Sequence, residues 1–283
     1  MIKTVLIIIS VLTLLFFAAL YTGTFFTEEY VEDRVEELIN IGVSPPKYFS
    51  EADLNDLPLN VRRYLRLAID EGIKIPQFVR IKQKGVFKTD INSDWKDFSA
   101  EEYFSVNEPG FVWNAKIETT PFFWIQAIES YVNRSGSVII KFLSSVNITG
   151  LTGNEIDISS LIRYYSEAVY FPAAFLNKNI TWKYKSFNSS SAVFRVNDMK
   201  FTMNFFFDEN GLIEKIESPD RFRTTKTGFQ KTGYVVLFGD YKKLNGISVP
   251  SKAEFQWRLP GVDFTYAKFE IVSIDYDDPK LYE

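Results

Sequence analysis

Residues 77–87 read QFVRIKQKGVF. Val79, Ile81, Gly85 and Phe87 fall on one phase of this stretch, and Arg80, Lys82 and Lys84 on the other. A period of two puts those sets on opposite faces of a β-strand. Before Pro76 the apolar spacing is helical: Leu57, Val61, Tyr64, Leu65 and Ala68 form one stripe, Asp56 can cap it, Pro58 suits its first turn and Gly72 stops it. The chain therefore changes architecture at Pro76.

The period of two persists. AEEYFSV, GFVWNAKIE, FFWIQAIESYV and GSVIIKFL alternate or nearly so, and turn residues such as Glu108-Pro109-Gly110 separate them. LSSVNITGLTGNEID (143–157) reads as a loop. After Asn177 the strands resume and run to VDFTYAKFEIVSIDY, with hairpin turns at Asp208–Gly211 and Leu244–Ile247. Strands and helices do not alternate, which argues against a parallel α/β sheet. The expected fold is mainly β: a large curved antiparallel sheet or half-open barrel, with a few helices packed in or on it.

The first segment differs from all of this. Twenty-three uncharged residues run from Thr4 to Phe26. As a helix they span about 34 Å at ~1.5 Å each, enough to cross a bilayer's hydrocarbon core. Lys3 precedes the run and Glu28, Glu29, Glu32 and Asp33 follow it, so the short N-terminal side faces the cytoplasm. A cleaved signal peptide is the competing reading, but each −3/−1 pair contains a bulky residue. The expected organisation is a transmembrane anchor (1–26), a juxtamembrane helix and linker (27–56) and one extracytoplasmic β-rich domain (57–283). That places the protein in the cell membrane as a single-pass protein.

Composition narrows the chemistry. The 283 residues contain neither cysteine nor histidine. Disulfides, thiol nucleophiles, histidine bases and nearly all zinc sites are therefore excluded. No cofactor or metal site is expected, and a net charge of −4 argues against nucleic acid. With 27 Phe, 15 Tyr and 5 Trp, the chain can bury a sizeable core.

One helix interrupts the strands, LIRYYSEAVYFP (161–172). At 100° per residue Arg163, Glu167, Ser166, Tyr170, Ser159 and Ser160 share an arc of about 120°, and apolar side chains fill the remaining ~240°. Such a helix must be covered over most of its circumference. Its polar strip is expected to face water or a cavity. An exposed Arg163–Glu167 pair would contribute only ~0.3 kcal/mol. The pair therefore orients the helix or lines the polar end of a ligand cavity.

Several stretches carry a resemblance: Leu57-Pro58, Val61–Leu65, Trp95–Ala100, Glu108–Ala115, Arg163–Pro172 and Gly239–Tyr241. Over roughly residues 57–276 the sequence resembles an uncharacterised prokaryotic family built on a domain of unknown function. The family's pattern in the helical segment is close to R-Y-L-A-E-x-x-W-x-P-T-A. Arg163, Glu167 and Pro172 match it; Tyr165, Ser166, Tyr170 and Ala173 depart from it. The resemblance implies no activity. A curved antiparallel sheet with helices in its mouth is also similar in architecture to periplasmic lipoprotein carriers, which hold acyl chains in an apolar cavity.

The function expected on these grounds is a membrane-anchored extracytoplasmic module binding a lipid or other hydrophobic ligand, without catalysis. Trp113, Trp124, Phe111 and Phe123 would line its wall, Tyr164, Tyr165 and Phe171 would close its mouth, and Arg163 and Glu167 would supply the polar end. Arg62, Arg63 and Arg66, close in sequence to the anchor, would meet anionic headgroups. The alternatives are an interaction component of an envelope complex, or a hydrolase pairing Glu167 with Glu129 or Asp240.

Overall fold

The computed structural model describes residues 2–282. Two helices open the chain, α1 (Ile2–Gly42) and α2 (Leu59–Ala68). Six strands follow: β1 (Phe78–Phe87), β2 (Lys96–Ser105), β3 (Gly110–Thr120), β4 (Phe123–Val132), β5 (Ser135–Phe142) and β6 (Val146–Thr152). After helix α3 (Asn154–Glu167) and two short 3-10 turns come β7 (Ile180–Ser186), β8 (Ser189–Val196), β9 (Met199–Phe207), β10 (Ile213–Ser218), β11 (Phe222–Thr225), β12 (Gly228–Lys231), β13 (Gly233–Leu244), β14 (Ile247–Leu259) and β15 (Val262–Tyr276).

Thirteen strands form one curved antiparallel sheet, ordered β6-β5-β4-β3-β2-β1-β15-β14-β13-β10-β9-β8-β7. β11 and β12 form a separate two-stranded hairpin. The sheet is open, and β6 and β7 are its edges. Local chemistry sets its turns. At the β9–β10 hairpin the Asp208 carboxylate accepts the amides of Gly211 and Leu212 at 2.8 and 2.9 Å, and Gly211 supplies the φ of 96° that a side chain would resist.

β6 corrects the reading of residues 143–157 as a loop. It is an exposed edge strand, VNITGLT, with no buried face. Its alternation, Val146 and Ile148 against Asn147 and Thr149, ends at Gly150 and is too short to mark a strand.

The sheet buries its inner face and, under α1, part of its outer face. The inner face and the helices in its hollow share the main core, which includes Phe104, Phe111, Phe194, Phe205 and Phe255. α3 lies in that hollow and Leu161 to Glu167 are all buried. Tyr165 packs on Phe194 at 4.4 Å, and the Tyr164 hydroxyl donates to the Ser105 carbonyl at 2.9 Å. A second, smaller core lies on the outer face. There Val31, Val35 and Leu38 of α1 pack on Phe78, Tyr103, Val112, Ile128 and Val132.

α1 runs unbroken through residue 26, the expected boundary between anchor and juxtamembrane segment. Its first part is exposed, and it is long and apolar enough to cross a membrane. Its C-terminal part, from Thr27 onward, lies along the sheet. Residues 43–56, expected as a linker, pack into the domain: Phe49 and Leu54 belong to the main core.

Candidate functional site

Along β1, β2 and β4 the inward phase is interrupted by one polar residue each. Val79, Ile81, Phe98, Ala100, Phe104, Ala127 and Tyr131 belong to the main core. Gln83, Glu102 and Glu129 fall in the same phase. All three converge on the polar strip of α3.

Arg163 is the hub. Its Nη1 lies 2.6 Å from Glu129, its Nη2 3.0 Å from Glu102 and its Nε 3.2 Å from Glu167. The guanidinium stacks over Trp113 at 4.5 Å and lies 5.3 Å from the Phe111 ring. Gln83 donates to the second Glu102 oxygen at 2.7 Å and accepts the Trp113 indole N–H at 3.1 Å. Glu102 and Glu167 are fully buried, whereas the Glu129 side chain keeps 27% of its surface. Within the polar strip of α3, Arg163 and Glu167 thus meet a carboxylate cluster rather than water, and Ser159 bonds the Phe222 backbone. Arg163 alone also reaches a cavity.

Three carboxyls around one arginine cannot all stay charged at low cost. Burial pushes Glu102 well above the ordinary carboxylate range. The Glu167 carboxylate beside it pushes the same way, and Arg163 only partly offsets the two. The Glu102 proton is therefore held to a higher pH than that of a free glutamate. Burial also acts to raise Glu129, but Arg163 and Arg221 outweigh it and hold that carboxyl below its usual value. Arg163 stays charged: its burial is opposed by all three carboxyl groups.

Beside the cluster lies a cavity of 640 Å³, within the range typical of small-molecule sites. Trp113, Ile117, Ile125, Ala127, Phe255 and Phe269 line its walls. Arg163, Glu129 and Tyr234 lie at its inner end, and the β1–β2 loop, from Lys88 to Lys96, lies at its mouth. The Tyr234 hydroxyl is buried with no hydrogen-bond partner among the described residues. Behind it sits Arg221, 7% exposed, with its guanidinium 4.2 Å from the Tyr234 ring and donating to the Tyr266 hydroxyl at 3.1 Å. No carboxylate among the described residues pairs directly with Arg221. Sequence reasoning missed Arg221, which opens RFRTTKTGF (221–229), a stretch that reads as one more strand. It also missed Glu102 and Gln83, although a polar residue in the inward phase of an apolar strand was the available signal.

The other expected residues are dispersed. Trp113 and Phe111 point inward, and Trp113 lines the cavity. Trp124 lies on the outer face, where its indole donates to Ser144 at 2.8 Å and Lys116 sits over its ring. It follows Phe123 directly at the start of β4, so its phase is opposite to that of Ile125 and Ala127. Tyr164, Tyr165 and Phe171 are core residues and close no mouth. Asp240 is exposed and paired with Lys252 at 2.6 Å, remote from Glu167.

Arg62, Arg63 and Arg66 lie on α2, which packs near the β13–β14 and β9–β10 turns. Arg63 donates to the Glu209 carbonyl at 2.8 Å, and Arg66 pairs with Glu51. Closeness in sequence to the apolar run does not become closeness in space. The sheet-bound turns of α1 carry the chain to the other end of the strands before α2 begins.

The chain belongs to a family of unknown function (DUF6544), whose model matches residues 47–269. No curated protein matches the sequence. Among solved structures it is similar to a LolA-superfamily protein from Nitrosomonas europaea, at 8% identity and a TM-score of 0.43, covering 77% of this chain and 92% of that one. It is similar to a domain described as an outer membrane lipoprotein-sorting protein from Vibrio parahaemolyticus, at 10% identity and a TM-score of 0.39, covering 73% and 87%. A DUF1329-family protein from Desulfovibrio piger matches at 8% identity and a TM-score of 0.41, covering 72% and 87%. These likenesses are of overall outline and carry no statement about ligand or activity.

Proposed function

We propose that this protein is a membrane-tethered, extracytoplasmic binding module that holds a lipid or other hydrophobic ligand in the cavity beside α3. The cavity itself carries the reading. It is walled by Ile117, Ile125, Ala127, Phe255 and Phe269 and ends at polar groups. An aliphatic or aromatic body would displace water from the walls at about 25 cal/mol per Å² of apolar surface buried. A polar head at the inner end would meet the Tyr234 hydroxyl, which has no partner among the described residues, and the accessible side of Glu129. α1 supplies the tether.

A catalytic reading draws no support from the cluster. Each of its carboxyls is engaged with Arg163, and the groups serve to balance one another's charge.

The test is uptake of a fluorescent fatty acid by the detergent-solubilised full chain, compared with an Ala127→Trp variant. Ala127 is buried on the cavity wall, so an indole there occupies the ligand's volume. Saturable uptake by the native chain and its loss in the folded variant are expected. Equal signals from the two proteins would remove the cavity as the binding site.

A further inference from the structure

The cavity has its mouth at a particular end of the sheet. Register places Phe87 of β1 opposite Lys96 of β2, and Phe98 opposite Ile117 of β3. Ile125 of β4 lies opposite Phe142 of β5. The β1–β2 loop, the β3–β4 tip and the β5–β6 turn therefore share one rim. The cavity opens there, between Lys88–Lys96 and Thr119.

That rim also meets α1. Ser145, in the β5–β6 turn, donates to the Leu20 carbonyl at 2.8 Å. Thr27 donates to the Ser144 carbonyl at 2.6 Å and accepts from Lys141 Nζ at 2.6 Å. Ile148 shares a groove with Phe26 and Tyr30. The uncharged run of α1 ends at Phe26. Leu20 lies six residues inside it, about 9 Å at ~1.5 Å per residue.

The rim exposes several large apolar side chains, next to Asp90, Asn92 and Asp94 of the β1–β2 loop. Phe122 is 79% exposed, Ile148 57% and Val146 56%. Phe123 is 47% exposed and stacks on Phe142 at 5.7 Å, next to the turn that touches α1. Across the mouth Ile91 and Trp95 are also exposed, and Lys88 lies over the Trp95 ring at 4.8 Å. Exposed aromatic and aliphatic side chains beside lysine suit the boundary between headgroups and acyl chains, where apolar groups sink ~5–10 Å.

We infer that this rim rests in the leaflet that α1 enters, so that the cavity mouth opens onto lipid and the ligand passes between bilayer and cavity without crossing bulk water. This rests on the tethered-module reading above. The hydrogen bonds between α1 and the β5–β6 turn fix the depth of the rim, and the depth they set matches that of an interfacial apolar patch.

The chain has no cysteine, so single nitroxide labels can be introduced cleanly. The full chain, reconstituted in phosphatidylcholine vesicles, would carry a label at Leu12→Cys, Phe122→Cys, Val146→Cys or Phe187→Cys. Phe187 is exposed at the opposite end of the sheet. Labels at 12, 122 and 146 are expected to be more accessible to oxygen than to a water-soluble nickel complex, and the label at 187 the reverse. Aqueous behaviour at 122 and 146 with a buried label at 12 would overturn the docked rim but leave the tether standing. Aqueous behaviour at 12 would remove the tether and the inference with it.

A second arm uses Phe122→Asp/Ile148→Asp. Uptake of a fluorescent fatty acid from vesicles is expected to slow roughly tenfold or more, because two apolar contacts with the leaflet become charged. Uptake in detergent should be unchanged. Equal rates from vesicles would overturn the route. Failure of the native chain to take up the fatty acid even in detergent would overturn the cavity reading and the route, while the labels still decide whether the rim docks.

Discussion

Replacing Glu102 by glutamine tests the charge assignment of the cluster. Glu102 is fully buried, bonded to Arg163 and Gln83, and held well above the ordinary carboxylate range by burial and by Glu167. In the unfolded chain it titrates near ~4.3. Above that value the unfolded state releases a proton that the native state keeps. Its contribution to stability is therefore complete below ~4.3 and is lost as pH rises toward the folded value. Between the two values the slope is about 1.4 kcal/mol per pH unit. Glu129 has the opposite shift, so its contribution is lost only as pH falls and stays constant in this window.

In the Glu102→Gln variant the introduced amide has no proton to release, so the variant should lack that slope. The amide cannot accept from Gln83 and Arg163 at once, which costs about 1 kcal/mol for one hydrogen bond. That offset does not depend on pH and leaves the slope difference intact. Guanidinium unfolding of the full chain in mild detergent at several pH values gives both slopes. The native chain should lose stability relative to the variant by about 1.4 kcal/mol per unit. Parallel curves would mean that Glu102 is ionised in the fold, and would refute the charge assignment.

Three further outcomes follow from the same geometry. Arg163→Met leaves the buried carboxyls without their cation and should destabilise the fold by about 3–5 kcal/mol, read by the same unfolding measurement; adding Glu129→Gln and Glu167→Gln should restore part of it. Gly136→Ala places a Cβ 2.9 Å from Ser160 Oγ and 3.0 Å from the Ile156 carbonyl, so α3 must shift off β5, at about 1–3 kcal/mol and a lower Tm. Val35→Asp puts a charge in the small core under α1; detachment of the helix from the sheet should appear as new protease cleavage near residues 27–42, absent from the native chain.

Most strands are legible in the sequence because their apolar and polar residues alternate, as in QFVRIKQKGVF. β6 is illegible because its alternation is short and neither of its faces is buried. The Arg163–Glu167 spacing reads as an i,i+4 pair, and the structure keeps it. The other partners of Arg163 lie on β2 and β4, 61 and 34 residues away. Which strands face α3 depends on how the sheet curves around it, and local periodicity holds no information on that. Trp113 and Trp124 show the same limit. Both are large aromatics in alternating strands, and cross-strand register puts them on opposite faces.

Native mass spectrometry of the full chain, released gently from the detergent in which it was extracted, tests the central claim most directly. A chain that carries its ligand in the cavity beside α3 should retain an adduct with the mass of a lipid or similar hydrophobic molecule, and Ala127→Trp should lose it. A native chain that emerges bare, and stays bare after incubation with fatty acid, would contradict the binding reading.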